Sequence, residues 1–233
     1  MWCLPLTLIL FFAFSPAVHA GLYWETVMVS GGMPKGLPKN LPKEAQDQIL
    51  EQFKAKTEIT KNYLTSYASR TETEGMIVIM DFDSMNMYQL DPRAKTYTKI
   101  NIVSAMGQMP EGMMKDMQVT PTNETRKIAG YKCKKYIVTV MGMKSEHWLS
   151  KDVKGYKEFK AIYKKILKKN PGLKQMPMTG MSGKEGFPVL TVSNVMGMKT
   201  KTTLKKIEKK SLSKKLFKVP RGYKLRELKM PSN

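Results

Sequence analysis

The pentapeptide Val-Met-Gly-Met-Lys occurs twice, at residues 140–144 and again at 195–199, and each copy lies between two extended arms. In the first copy Tyr136, Val138, Val140 and Trp148 share one parity, with Lys132, Lys134, Lys144 and Glu146 on it near the ends, an imperfect but strand-like alternation. The second copy has residues 187–195 on one side and 199–207 on the other. A glycine at such a centre supplies the positive φ of a tight hairpin. Both copies therefore read as hairpin tips, which commits this part of the chain to antiparallel pairing. A tip at Gly142 sets residue 133 opposite roughly 151 and residue 147 opposite roughly 137.

Other short segments extend the same pattern. Residues 22–29 form an aromatic and β-branched run ending at Gly31-Gly32, and after a Pro- and Lys-rich stretch (34–42) a short helical patch carries Ile49, Leu50 and Phe53. Residues 58–69, 76–82, 86–90 and 96–102 are β-rich and separated by turn formers such as Glu74-Gly75 and Asp91-Pro92, as in a meander of consecutive antiparallel strands. One stretch has strong helical spacing. Over residues 152–169, Val153, Tyr156, Phe159, Ile162, Tyr163, Ile166 and Leu167 recur at steps of three and four, lysines fill the other side, and Asn170-Pro171-Gly172 stops the run. This helix is expected to cover a sheet. Between the meander and the first hairpin, Met106, Met109, Met113 and Met117 lie on one approximate face, but Gly107, Pro110 and Gly112 interrupt a long helix, so a flap with an apolar underside is expected.

The first twenty residues differ from the rest. An uncharged apolar run from Leu4 to Phe14 leads to Ala17-Val18-His19-Ala20, the layout of a secretory signal cut after Ala20, although the basic start is missing. The run is too short for a span, which needs about 20 apolar residues, and Cys3 has no lipoprotein-type surroundings. The expectation is an exported protein, periplasmic and soluble after cleavage, with residues 21–233 forming one domain. Cys133 is then the only cysteine, so the fold rests on its core rather than on a disulfide. The chain carries 40 Lys plus Arg against 19 Asp plus Glu, a formal charge of +21. Such a field attracts anions; export removes nucleic acid from the expected partners and leaves an anionic membrane surface.

Catalytic motifs are absent from the sequence: no glycine-rich phosphate loop, nucleophile elbow or paired carboxylates, and a single histidine, His147, after cleavage. No enzyme activity and no cofactor are expected. Soft-metal chemistry is the alternative. Met141, Met143 and His147 share parity on one hairpin, and thioethers with imidazole suit Cu(I). The same methionines serve equally as flexible apolar filler.

The ordered set Tyr88-Gln89-Leu90-Asp91-Pro92 with Lys95-Thr96-Tyr97, the stretch 125–136, Glu146 to Asp152, Gly186-Phe187-Pro188 and the ending 216–223 resembles an exported bacterial family known by a domain-of-unknown-function label. That family is similar to the lipoprotein-carrier group of LolA, LolB and the mycobacterial LppX. The resemblance implies an α+β fold, mainly antiparallel β: a curled sheet or incomplete barrel covered on its open face by one or two helices, with an apolar cavity that holds acyl chains. The expected function is a periplasmic, non-enzymatic carrier or sensor of a lipid, a lipoprotein acyl chain or a similar amphiphile. Its expected lid and cavity residues are Met106, Met109, Met113, Met117, Tyr156, Phe159 and Tyr163. A Met-rich copper(I) protein and an envelope structural protein are the alternatives.

Overall fold

Both pentapeptides turn the chain. Gly142 (φ 74°) and Gly197 (φ 90°) adopt the expected left-handed conformation, and the ladders close at Val140↔Met143 and Val195↔Met198. Each loop is thus two residues long, so His147 faces Tyr136 rather than residue 137. The computed structural model describes residues 18–32, 42–108, 118–140, 142–175, 186–195 and 197–227. The hairpins are β8 (Tyr131–Val140) with β9 (Met143–Ser150), and β10 (Phe187–Val195) with β11 (Met198–Ser213). β9 pairs with β10, Ser145 opposite Ser193, which brings both tips to the same end of the sheet. β1 (Val18–Gly32) runs along β11 from Val18↔Ser213 to Gly32↔Met198. A Cβ on Gly32 would lie 2.1 Å from the Gly197 carbonyl oxygen, so glycine is required at that crossing. Residues 1–17 lie outside the described residues, and Val18 to Ala20 occupy the first ladder positions of β1.

The meander follows as β2 (Lys56–Leu64), β3 (Ala68–Glu72), β4 (Ile77–Asp81), β5 (Asn86–Asp91) and β6 (Thr96–Asn101). Residues 58–69, expected as one strand, are two. Thr65 turns the chain there, its N–H donating to the Ala68 carbonyl (2.9 Å) and its Oγ1 accepting from the Ala68 N–H (3.0 Å). Asp81 and Asp91 each accept two backbone N–H bonds through Oδ1 and so build the next two reversals. β7 (Gln118–Ile128) was not expected as a strand; it pairs with β8 and forms one edge. β12 (Lys224–Leu225) pairs parallel to β6 at the other edge. The order β12-β6-β5-β4-β3-β2-β1-β11-β10-β9-β8-β7 is one open, almost wholly antiparallel sheet.

Among the described residues three α-helices accompany it: α1 (Lys43–Gln52), α2 (Ile102–Gly107) and α3 (Tyr156–Lys169). α3 begins four residues later than its periodicity suggests, with Gly155 as N-cap, where a Cβ would lie under 3 Å from Ile207 and 3.1 Å from Leu22. Its early turn is held by a Glu158–Lys209 ion pair to β11. Its far end is held by Lys169 on Asp83 and by the Asn170 amide donating to the Phe82 carbonyl (2.8 Å), just past β4. β11 and β4 are four strand spacings apart, about 19 Å, and fourteen helical residues rise about 21 Å. α3 therefore lies across the strands rather than along them.

Two apolar clusters result. One joins Leu22, Leu64, Met80, Phe82 and Phe187 to Tyr156, Phe159 and Ile166 of α3. The other packs Ala68, Ile79, Leu90 and Leu212 under Phe217 of the C-terminal segment. The expected class is the one observed: α+β, mainly antiparallel, with helices on the open sheet.

Candidate functional site

Register places Trp24 beside Asn62, Asn62 beside Thr71, and Leu64 beside Ser69, so these side chains of β1, β2 and β3 share the face that α3 crosses. α3 answers with Phe159, Tyr163, Ile166 and Leu167, one stripe at helical spacing. Phe159 stacks with Tyr163 (6.0 Å between centroids) and meets Phe187 edge-on (5.1 Å), which in turn meets Trp24 (5.6 Å). Between helix and sheet remains a cavity of about 210 Å³, lined also by Phe82, Leu173 and Pro188. Small-molecule sites usually hold about 300–1,000 Å³. The cavity is smaller than that, so a ligand fills it with one slender segment or lifts the helix.

Of the residues expected to bind a ligand, Phe159 and Tyr163 line the cavity. Tyr156 is buried in the adjoining core instead of facing it. Met106 belongs to α2, and Met109, Met113 and Met117 lie outside the described residues. Sequence reasoning missed the sheet half of the wall. Its signal was weak: Trp24 and Leu64 lie on strands, and Asn62, Ser69 and Thr71 interleave polar groups that mask the apolar face.

The residues of the soft-metal alternative are spread out. Met141 lies outside the described residues, and Met143 is half exposed. His147 shares the face of Met143, but four residues along a strand is about 13 Å. Between them Ser145 Oγ lies 3.0 Å from His147 Nε2, and Thr191 Oγ1 lies 3.5 Å from Nδ1. Burial lowers the His147 pKa, so the ring is neutral at physiological pH. Cys133 is buried, and burial pushes its thiol pKa up, away from the thiolate. It stands three positions from Tyr136, the cross-strand partner of His147, and hence on the opposite face.

One charged cluster sits at the irregularity of β1. Tyr23 donates to Glu25 Oε1 (2.5 Å), and Lys205 and Lys206 each approach Glu25 at 3.2 Å, where the β1–β11 register shifts between Glu25 and Thr26. The Tyr23 hydrogen bond, with the two lysines, holds the Glu25 carboxyl at about 2 against its usual 4.5. Burial, then the carboxylate it bonds, raises the Tyr23 phenol.

The profile of the family described as "Domain of unknown function (DUF4412)" matches residues 41–223, most of the chain. No curated protein shows significant sequence similarity. Among solved structures, the chain is similar to PNGF-II (15% identity, TM-score 0.43), covering 88% of this chain but spanning only 30% of that one. It is similar to an uncharacterized conserved protein from Thermus thermophilus (7% identity, 88% and 89% of the two chains, TM-score 0.48). A domain assigned to outer membrane lipoprotein sorting, from Vibrio parahaemolyticus, matches over 84% of this chain and 88% of its own (9% identity, TM-score 0.34).

Proposed function

The chain belongs to the DUF4412 family, a family of unknown function, and we propose that it is an exported, non-enzymatic binding protein that carries or senses an amphiphile, with α3 as the lid. The observation that carries this reading is the cavity between α3 and the sheet, walled by Trp24, Leu64, Phe82, Phe159, Leu167 and Leu173. Each methylene buried there is worth about 0.8 kcal/mol. Polar partners on the sheet wall include the Asn62, Ser69 and Thr71 strip, which suits a ligand with one wet end.

The lid is held for reversible opening. Two of its polar ties, Glu158–Lys209 and Lys169–Asp83, are partly exposed ion pairs, a type worth about 0–1 kcal/mol each. Lifting α3 breaks mainly these ties, the Asn170–Phe82 hydrogen bond and apolar contact, and an acyl chain restores the apolar part. The methionines near the lid, Met80, Met85 and Met87, are side chains that adapt to irregular apolar shapes.

Filling the cavity tests the reading without opening a hole. In Ser69→Phe the ring enters the space an acyl chain would take, and uptake of a fluorescent fatty acid should weaken by about tenfold or more while the fold persists. Equal uptake by wild type and variant, with the variant folded, removes the cavity from the account.

A further inference from the structure

Seven large apolar side chains stand exposed among the described residues, and five of them gather at one end: Val29, Leu50, Ile59, Met143 and Val195, each between 40% and 50% exposed. Soluble monomers scatter such residues singly, so neighbouring pairs at one end mark a candidate contact surface. The end is the one where β1 stops, β2 starts and both pentapeptide hairpins turn. Val27 faces Ile59, so Val29 and Ile59 share a sheet face. Ser145 faces Ser193, and two further residues on each strand set Met143 beside Val195, on the sheet face opposite to Val29 and Ile59, so the hairpin pair and the β1–β2 pair flank the same end from its two sides. Gly32 ties its N–H to the Phe53 carbonyl (3.0 Å), which fixes α1, and with it Leu50, at this same end.

The hairpins add a collar of cations. Exposed Lys144 follows Met143, exposed Lys199 follows Met198, and exposed Lys201 faces Val29 across the β1–β11 ladder. Around α1 and the start of β2, Glu44, Asp47 and Glu51 are offset by Lys43, Lys54 and Lys56, so the net cationic part of the end is the hairpin part. Apolar tips with a lysine collar, on a chain of formal charge +21, are the arrangement that seats in the headgroup layer of an anionic bilayer: the tips enter the acyl boundary while the lysines stay with the headgroups. We propose that the paired Val-Met-Gly-Met-Lys hairpins are a docking surface for a membrane carrying anionic phospholipid, and that this is why the pentapeptide is used twice. The surface lies on the hairpin tips, apart from the cavity under α3, and does not depend on what the cavity holds.

The test is co-sedimentation of the full chain with vesicles of phosphatidylcholine, with and without phosphatidylglycerol. The wild type should bind the anionic vesicles and lose them as salt is raised. Met143→Ser with Val195→Ser should weaken that binding about tenfold, and Lys144→Glu with Lys199→Glu at least as much. All four side chains are exposed, so folding should be unchanged by circular dichroism. Fatty-acid uptake from solution should be unchanged too, which separates failure of docking from failure of the cavity. Undiminished vesicle binding by both variants overturns the proposal, as does a wild type that ignores anionic vesicles. A concentration-dependent dimer abolished by the same substitutions overturns it in favour of self-association.

Discussion

The sheet has two covers, and they are built differently. On one face α3 lies across the strands, its ends tied by partly exposed ion pairs and a side-chain hydrogen bond, and leaves a cavity of about 210 Å³. On the other, the C-terminal segment after β11 lays Phe217 against Tyr67 (5.5 Å, edge-on) and over Ile79 and Leu90, and its carbonyl at Leu216 accepts from the largely buried Arg70 (3.0 Å). It then joins the sheet as β12, with the Lys224 N–H on the Lys95 carbonyl and the Arg226 N–H on the Tyr97 carbonyl. A cover that is hydrogen-bonded into the sheet is a wall; one tied by surface charges is a lid. The proposal of a ligand beneath α3 rests on this difference between the two covers.

The comparison breaks first at Phe217. Phe217→Ala should cost about 3–5 kcal/mol in urea unfolding, the usual loss for a buried aromatic; a cost below about 1 kcal/mol would mean that the C-terminal cover is not structural. The lid ties should behave oppositely. Asp83→Ala with Lys209→Ala should change stability by no more than about 1–2 kcal/mol in total, yet speed fatty-acid uptake in stopped-flow mixing. A large stability loss with unchanged uptake kinetics would make α3 a second wall. The smallest effect lies in acid. Glu25 titrates at about 2 in the folded chain and at 4.5 ordinarily, so its contribution is complete above pH 4.5 and is lost as pH falls from there toward 2. Glu25→Gln should be less stable than wild type at neutral pH, and the two melting curves should converge in that window. Parallel curves down to pH 2 would remove the Tyr23–Glu25–lysine cluster from the supports of the β1 register shift.

The elements that the sequence made legible are those with strong local grammar. Gly142 and Gly197 sit where only a positive φ closes the ladder, and α3 has six large apolar residues in helical register. The turn at Thr65 was hidden because its signal is one hydroxyl between two β-rich runs. β7 was hidden by its edge position: most of its residues are exposed, and it carries Pro121 beside a register shift, composition that reads as loop yet keeps an edge from pairing further. The candidate site was half legible. Phe159 and Tyr163 follow from periodicity, whereas Trp24, Leu64 and Phe82 meet them only through pairings between strands far apart in sequence, which no local window reports. The second cover was the least legible, since Leu216, Phe217 and Tyr223 lie in a short irregular segment with no period at all.

Native mass spectrometry of the protein recovered from cells without detergent tests the central claim most directly, with Ser69→Phe measured beside it. The account predicts an adduct of acyl-lipid mass on the wild type, released by organic solvent and depleted in the variant. A bare mass for the wild type, or an adduct that Ser69→Phe retains in full, would contradict a ligand held beneath α3.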